Sequence, residues 1–416
     1  MTDPVADDLW RRLAPQVTAA LARRYGDFGS AEDATQEALI AASTQWPREG
    51  VPTNPRAWLI RVASRRLIDQ WRSDHARADR EERVAPRPVD LVSAPADTGL
   101  TALDLDRDDS LTLLLLTCHP ALSRPSQVAL TLRAVAGLTT AQVARAFLVP
   151  ESTMGQRISR AKATLREVDA PFGTPPRSEL PGRVAAAAHV LYLVYTEGHT
   201  ATTGGGLTDV SLAQEAIRLT RQLHVSLPDA DEVTGLLALL LLTDARRAAR
   251  TTPDGSLVPL AVQDRHRWDS DLLAEGIALV EAVLPRGPVG PFQLQAAIAA
   301  VHAEAVVSAD TDWPQIEQLY RMLADLDPGP VVTLNHAVAV AEVHGPAAGL
   351  AMLAPLLADH RLRHHHHLYA VQAHLLERSG QRGPACAAYE TAARMATSRP
   401  EQRYLLVRAT ALRGPT

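Results

Sequence analysis

One stretch, Leu138 to Glu167 (LTTAQVARAFLVPESTMGQRISRAKATLRE), leaves the chain few ways to fold. Thr139 followed three residues on by Gln142 is a capping-box pattern that opens a helix. Val143, Ala144 and Phe147 give that helix an apolar stripe. Leu148-Val149-Pro150 ends it, because a proline disfavours helical backbone in the residue before it. Met154, Ile158, Ala161 and Leu165 then recur every three or four residues, which predicts a second helix with one buried face. Its first turn is Glu151-Ser152-Thr153, and its other face carries Gln156, Arg157, Arg160, Lys162 and Arg166. A short helix, a tight turn and a longer helix with polar leading residues and a basic far side form the pattern of a DNA-reading helix-turn-helix. An ordinary helical hairpin with a solvated basic face is the bland alternative.

Aromatic residues are only 4% of the chain and apolar residues 46%, with much alanine and leucine, so an all-α fold of closely packed helices is expected. The 416 residues leave room for two to four domains. Lysine and arginine total 42 against 47 acidic residues, so any nucleic-acid surface is local and not a property of the whole molecule. Lys162 is the single lysine. Cys118 and Cys386 lie too far apart in sequence for a local metal knuckle and fit a reducing cytosol. The start, MTDPVADD, carries no signal-peptide pattern, and the apolar runs Leu111–Leu116 and Leu236–Leu242 are too short to span a bilayer. A cytoplasmic protein without a membrane segment is expected.

The chain divides by composition. Residues 7–82 form a first helical domain. In it Ser30 and Asp33 are expected to cap a helix on which Asp33, Gln36 and Glu37 share one face. Pro47 to Pro55 holds three prolines and a glycine and reads as a loop. A basic helix follows, with seven arginines between Arg56 and Arg80 and two tryptophans, Trp58 and Trp71. A solvated face explains that charge alone; charge plus stacking is also how a protein holds a melted strand. Residues 83–109 read as an acidic, proline-bearing linker, and 110–168 as a second helical domain containing the helix-turn-helix. After a proline-rich joint, residues 183–416 read as helix after helix. Gly345-Pro346-Ala347-Ala348 is echoed by Gly383-Pro384-Ala385-Cys386 thirty-eight residues later, a tetratricopeptide-like beat from about residue 290.

Three patches together resemble a known family. AEDATQEAL with WLIRVASRRLID is similar to region 2 of bacterial RNA polymerase sigma factors of the extracytoplasmic-function type (sigma-70 family, group IV), and ALTLRAVAGLTTAQVARAFLVPESTMGQRISRAKATLR resembles their region 4. HPALS, LYLVYTEGHTAT, QDRHRWD and LNHAVAVAEVHGP resemble the long helical extension of one subgroup. The resemblance implies a factor that directs core polymerase to promoters, with activity controlled by its own extension. It implies that Asp33, Gln36 and Glu37 grip the β′ clamp helices, with the β flap as a further contact. Asn54 and Arg56, at the end of a base-capturing loop, and Arg61, Arg65, Arg66, Trp71 and Arg72 would meet the minus-ten strand. Glu151, Ser152, Thr153, Gly155, Gln156, Arg157 and Arg160 would read the minus-thirty-five element. Arg65 stands where many such factors carry asparagine, and Gly155 and Gln156 also depart from the usual pattern, so the promoter sequence does not carry over.

No triad spacing or paired carboxylates suggest an enzyme, and no cofactor is expected. His364 to His367, with His360 and His374 nearby, have beside them no carboxylate or cysteine that completes a plausible metal set, so a solvated helix end is expected in place of a metal site. Gly204-Gly205-Gly206 lacks the lysine of a phosphate loop. The competing function is a polymerase-independent helix-turn-helix regulator with a helical sensor. It leaves the Asp33/Gln36/Glu37 face and the arginine-tryptophan helix without a job. A protein or small-molecule effector of the extension remains an expected partner.

Overall fold

The computed structural model describes residues 4–81, 109–147, 149–199 and 210–413. The expected linker therefore lies outside the described residues apart from Asp109, as does Gly204-Gly205-Gly206. The described residues form eighteen α-helices and no strand; one isolated antiparallel bridge pairs Thr251 with Leu257. The chain separates into two compact units, residues 1–190 and 191–416.

In the first unit, α1 (Pro4–Tyr25), α2 (Phe28–Glu49) and α3 (Pro55–Glu81) pack side by side. Ala31, Ala34, Ala38 and Ala42 recur along α2 and are fully or almost fully buried, which lets the backbones approach closely around Leu21, Leu59, Ile60 and Leu67. Two expectations are corrected here. The α2 cap is Asp27, not the Ser30–Asp33 pair: its carboxylate accepts the Gly29 and Ser30 amides at 2.9 and 3.3 Å. Asp27 is in extended backbone just before the helix, where its short side chain folds back over the unpaired amides of the first turn. The proline-rich loop is also shorter than expected. Pro47 lies inside the last turn of α2, where a missing amide costs one bond at most, and the helix stops only at Gly50, whose φ of 87° favours glycine.

Next come α4 (Ser110–Thr117), α5 (Arg124–Ala134), α6 (Thr140–Ala146) and α7 (Glu151–Glu167). Val128, Leu132 and Val135 are buried, and α7 buries Met154, Ile158, Ala161 and Leu165, the stripe expected from the spacing. The capping box forms as read: the Gln142 amide donates to Thr139 Oγ1 at 3.1 Å, and the Thr139 amide donates to Gln142 Oε1 at 2.8 Å.

The division between the units falls within α8 (Leu180–His199). The second unit continues with α9 (Val210–Ser226), α10 (Asp231–Asp244), α11 (Ser270–Val283), α12 (Pro291–Glu304), α13 (Trp313–Leu326), α14 (Pro330–His344), α15 (Pro346–Ala358), α16 (His366–Arg378), α17 (Arg382–Met395) and α18 (Arg399–Arg413). Consecutive helices share successive small cores: Ala238, Leu242 and Ala296; then Leu294, Ile298 and Ile316; then Leu334, Leu353 and Leu375; then Tyr389, Ala392 and Leu405. Both Gly-Pro echoes mark the start of a helix, α15 and α17. Nearest-neighbour packing of this kind is that of a helical array.

Candidate nucleic-acid interface

The helix-turn-helix places α7 so that its apolar stripe faces α5 and α6 while Glu151, Ser152, Thr153, Gln156 and Arg160 are exposed. Gly155 and Arg157 are partly covered. A leading turn of short polar side chains on a buried helix can enter a groove without rearranging its core.

On α2, Asp33 and Glu37 are exposed and Gln36 is partly covered, so the expected face exists. It is not free, however. Lys162 of α7 crosses to it, lying 2.6 Å from Asp33 and also pairing with Glu32. Glu32 is nearly inaccessible, and Arg133 Nε of α5 lies 3.0 Å from its second oxygen, outside hydrogen-bond alignment. Arg166 approaches Asp27 at 3.5 Å, and Arg23 pairs with Asp109. Lys162 thus departs from the solvated basic face expected of α7, being 12% exposed and turned toward acids of α2, whereas Arg166 stays 62% exposed. Sequence inspection missed Glu32 because it stands next to the exposed Asp33 while its own charge points inward; the lone lysine of the chain was its only signal.

Glu37 sits 3.8 Å from Arg66, and beside this pair Ile40, Ala41, Thr44 and Gln45 line a shallow groove with Ile40 67% exposed.

On α3, Arg61, Arg65, Arg66 and Arg72 are exposed, and Arg56 is partly covered. Asn54 caps the helix, its Oδ1 accepting the Ala57 amide at 3.0 Å. The tryptophans are engaged in packing. Trp58 meets Trp46 edge-on at 5.4 Å, Trp46 stacks on Trp10 at 4.7 Å, and Trp71 meets Tyr25 edge-on at 5.5 Å.

The family model of Sigma-70 region 2 matches residues 9–77, that of Sigma-70, region 4 matches 112–165, and a family of unknown function, DUF6596, matches 183–284. An uncharacterized protein of Rhizobium meliloti (strain 1021) is 42% identical over 411 residues, 96% of this chain and 95% of that protein. The ECF RNA polymerase sigma factor SigK of Mycobacterium ulcerans (strain Agy99) is 29% identical over 153 residues, 36% of this chain and 78% of that protein. The probable ECF RNA polymerase sigma factor SigI of Mycobacterium tuberculosis (strain ATCC 25618 / H37Rv) is 31% identical over 173 residues, 40% of this chain and 55% of that protein. The chain is an extracytoplasmic-function sigma factor with a C-terminal extension. No solved structure matches it.

As a sigma factor it binds RNA polymerase core and promoter DNA to initiate transcription, which sets aside a polymerase-independent regulator. The Sigma-70 region 2 match falls on α1–α3 and the region 4 match on α4–α7. None of the described helices is long and apolar enough to cross a membrane.

Proposed function

We propose that this sigma factor grips core polymerase with the α2 face around Asp33, Gln36 and Glu37, extended by Ile40 and the groove beside Arg66. In the proposed assignment the α3 arginines 61, 65, 66 and 72 hold the minus-ten strand, with Asn54, Arg56 and the exposed edge of Trp71 at its margin. Residues 151–157 of α7 read the minus-thirty-five element, and Arg160 meets its phosphates. The observation that carries this reading further is the Lys162 bridge to Glu32 and Asp33. The side chain that ties region 4 to region 2 occupies the acid that core would use, so the two engagements compete. A factor closed in this way binds core with an affinity reduced by the fraction of open molecules.

The test compares core binding by the Asp33→Lys/Glu37→Lys protein and by Lys162→Ala. The charge reversal should abolish co-purification with core while helical content stays intact. Lys162→Ala should bind core about three- to ten-fold more tightly, the shift expected from about 1 kcal/mol of released closing energy. Undiminished binding by the reversal removes the α2 assignment; unchanged binding by Lys162→Ala removes the competition. In the extension, a cavity of 400 Å³ lined by Trp313, Tyr320, Asn335, His374, Tyr389 and Tyr404 is of a size and character suited to an effector, which supports control of the factor by its array.

A further inference from the structure

We propose that His366, His367 and Glu401 form a three-ligand site for a divalent transition ion of the zinc class, clipping the start of α16 to the start of α18. The histidine run has no acid beside it in sequence; the fold supplies one, thirty-four residues after His367. His366 and His367 open α16 and Glu401 lies in the first turn of α18, the two helices flanking α17. One ligand atom from each residue falls within 4.8 Å of the other two. His366 Nε2 is already 3.3 Å from Glu401 Oε2, and the two rings stand 3.9 Å apart at 65°, converging without stacking flat.

Two nitrogens and one carboxylate oxygen are a ligand set that zinc-class ions accept, and metal–ligand distances near 2.0–2.2 Å require only that the three side chains draw inward. The three residues leave a fourth position to water. His366 and Glu401 are each about a fifth exposed, close enough to solvent for an ion to enter. The His367 ring keeps exposed surface beside the partly covered His366 and Glu401, so all three side chains can be reached by an incoming ion. The Arg250 charge also reaches Glu401 and opposes an added cation, but its Nη1 is committed to the His199 carbonyl. A plain His366–Glu401 ion pair would account for those two residues. It would not account for a second imidazole converging on the same point.

The experiment uses the full-length chain stripped with a chelator. Co²⁺ alone is titrated and followed by visible absorption, and Zn²⁺ alone is followed by thermal unfolding. One equivalent should bind and raise the unfolding temperature. His366→Ala, His367→Ala and Glu401→Gln should each weaken binding at least about ten-fold, since loss of even an outer partner of a metal ligand costs that much. The Glu401→Gln side chain keeps its shape, and circular dichroism checks that its helices persist. His364→Ala, an exposed neighbour outside the trio, should bind as the parent does. Absence of binding overturns the proposal. So does an undiminished Glu401→Gln, or a His364→Ala as weak as Glu401→Gln, because either would make the histidine run an unstructured chelator.

Discussion

Glu32 shows how one side chain can decide an interface. It is 2% exposed, with two cations, Lys162 and Arg133, turned toward it from another part of the same unit. Removing its charge would leave Arg133 close to an interior without compensation and Lys162 with Asp33 alone, a situation that costs more than the pair itself contributes. Glu32→Gln should therefore destabilise residues 1–190 by about 3 kcal/mol, measured by chemical unfolding of the full chain with a probe in α2. A loss below about 1 kcal/mol would mean that the cations find water instead. Asp27 acts at the same scale through its own backbone. Burial pushes its carboxyl up, but the Ser30 hydroxyl and amide, the Arg166 charge and the Gly29 amide outweigh that and hold it below the usual 3.8. A depressed carboxyl contributes stability that is fully present above its unfolded value and is lost as pH falls through its folded value. Asp27→Ala should cost about 1 kcal/mol at pH 7. That gap should close as the solution is acidified below about pH 4; a gap constant with pH would show that the carboxylate charge is idle.

At the scale of the element, the surroundings of α7 change along its length. Its first turns are exposed and polar, whereas Lys162 further on is turned to acids of α2. Gln156→Ala and Arg157→Ala should change which promoters fire, by about 1–3 kcal/mol for each lost base contact. Arg160→Ala, one turn further on, should weaken all promoters by a similar factor if it meets phosphate. Measuring initiation across a promoter library separates these outcomes. Equal scaling of every promoter by all three variants would contradict the assignment of the reading turn.

The whole molecule is two compact units, with an array of successive small cores making up the second. The helices of such an array bury their faces only against neighbours, so its stability falls away stepwise as terminal helices are removed. Protein ending between residues 200 and 209, which keeps α8 whole, should differ from the full chain in promoter-directed transcription with core polymerase. Removal of α17 and α18 alone should give an intermediate level. Equal output from folded versions of all three would leave the array as a separate binding module with no control over initiation.

Much of this was legible in the order of residues. Periodicity fixed the buried faces, because a helix repeats every 3.6 residues whatever it packs against. Met154, Ile158, Ala161 and Leu165 were found that way. The Thr139–Gln142 cap was readable for the same reason, since both partners lie within one turn. Local rules went wrong where two local solutions competed: Asp27 outbid Ser30 and Asp33 as the cap of α2, and a proline in a terminal turn did not end that helix. What only the tertiary structure decided are the pairs separated by long stretches of chain. Lys162 meets Asp33 across 129 residues, and His366 meets Glu401 across 35. Charge and periodicity show that such a side chain points outward from its own helix. Which helix comes to meet it depends on how all the buried faces are satisfied together, and no local spacing encodes that.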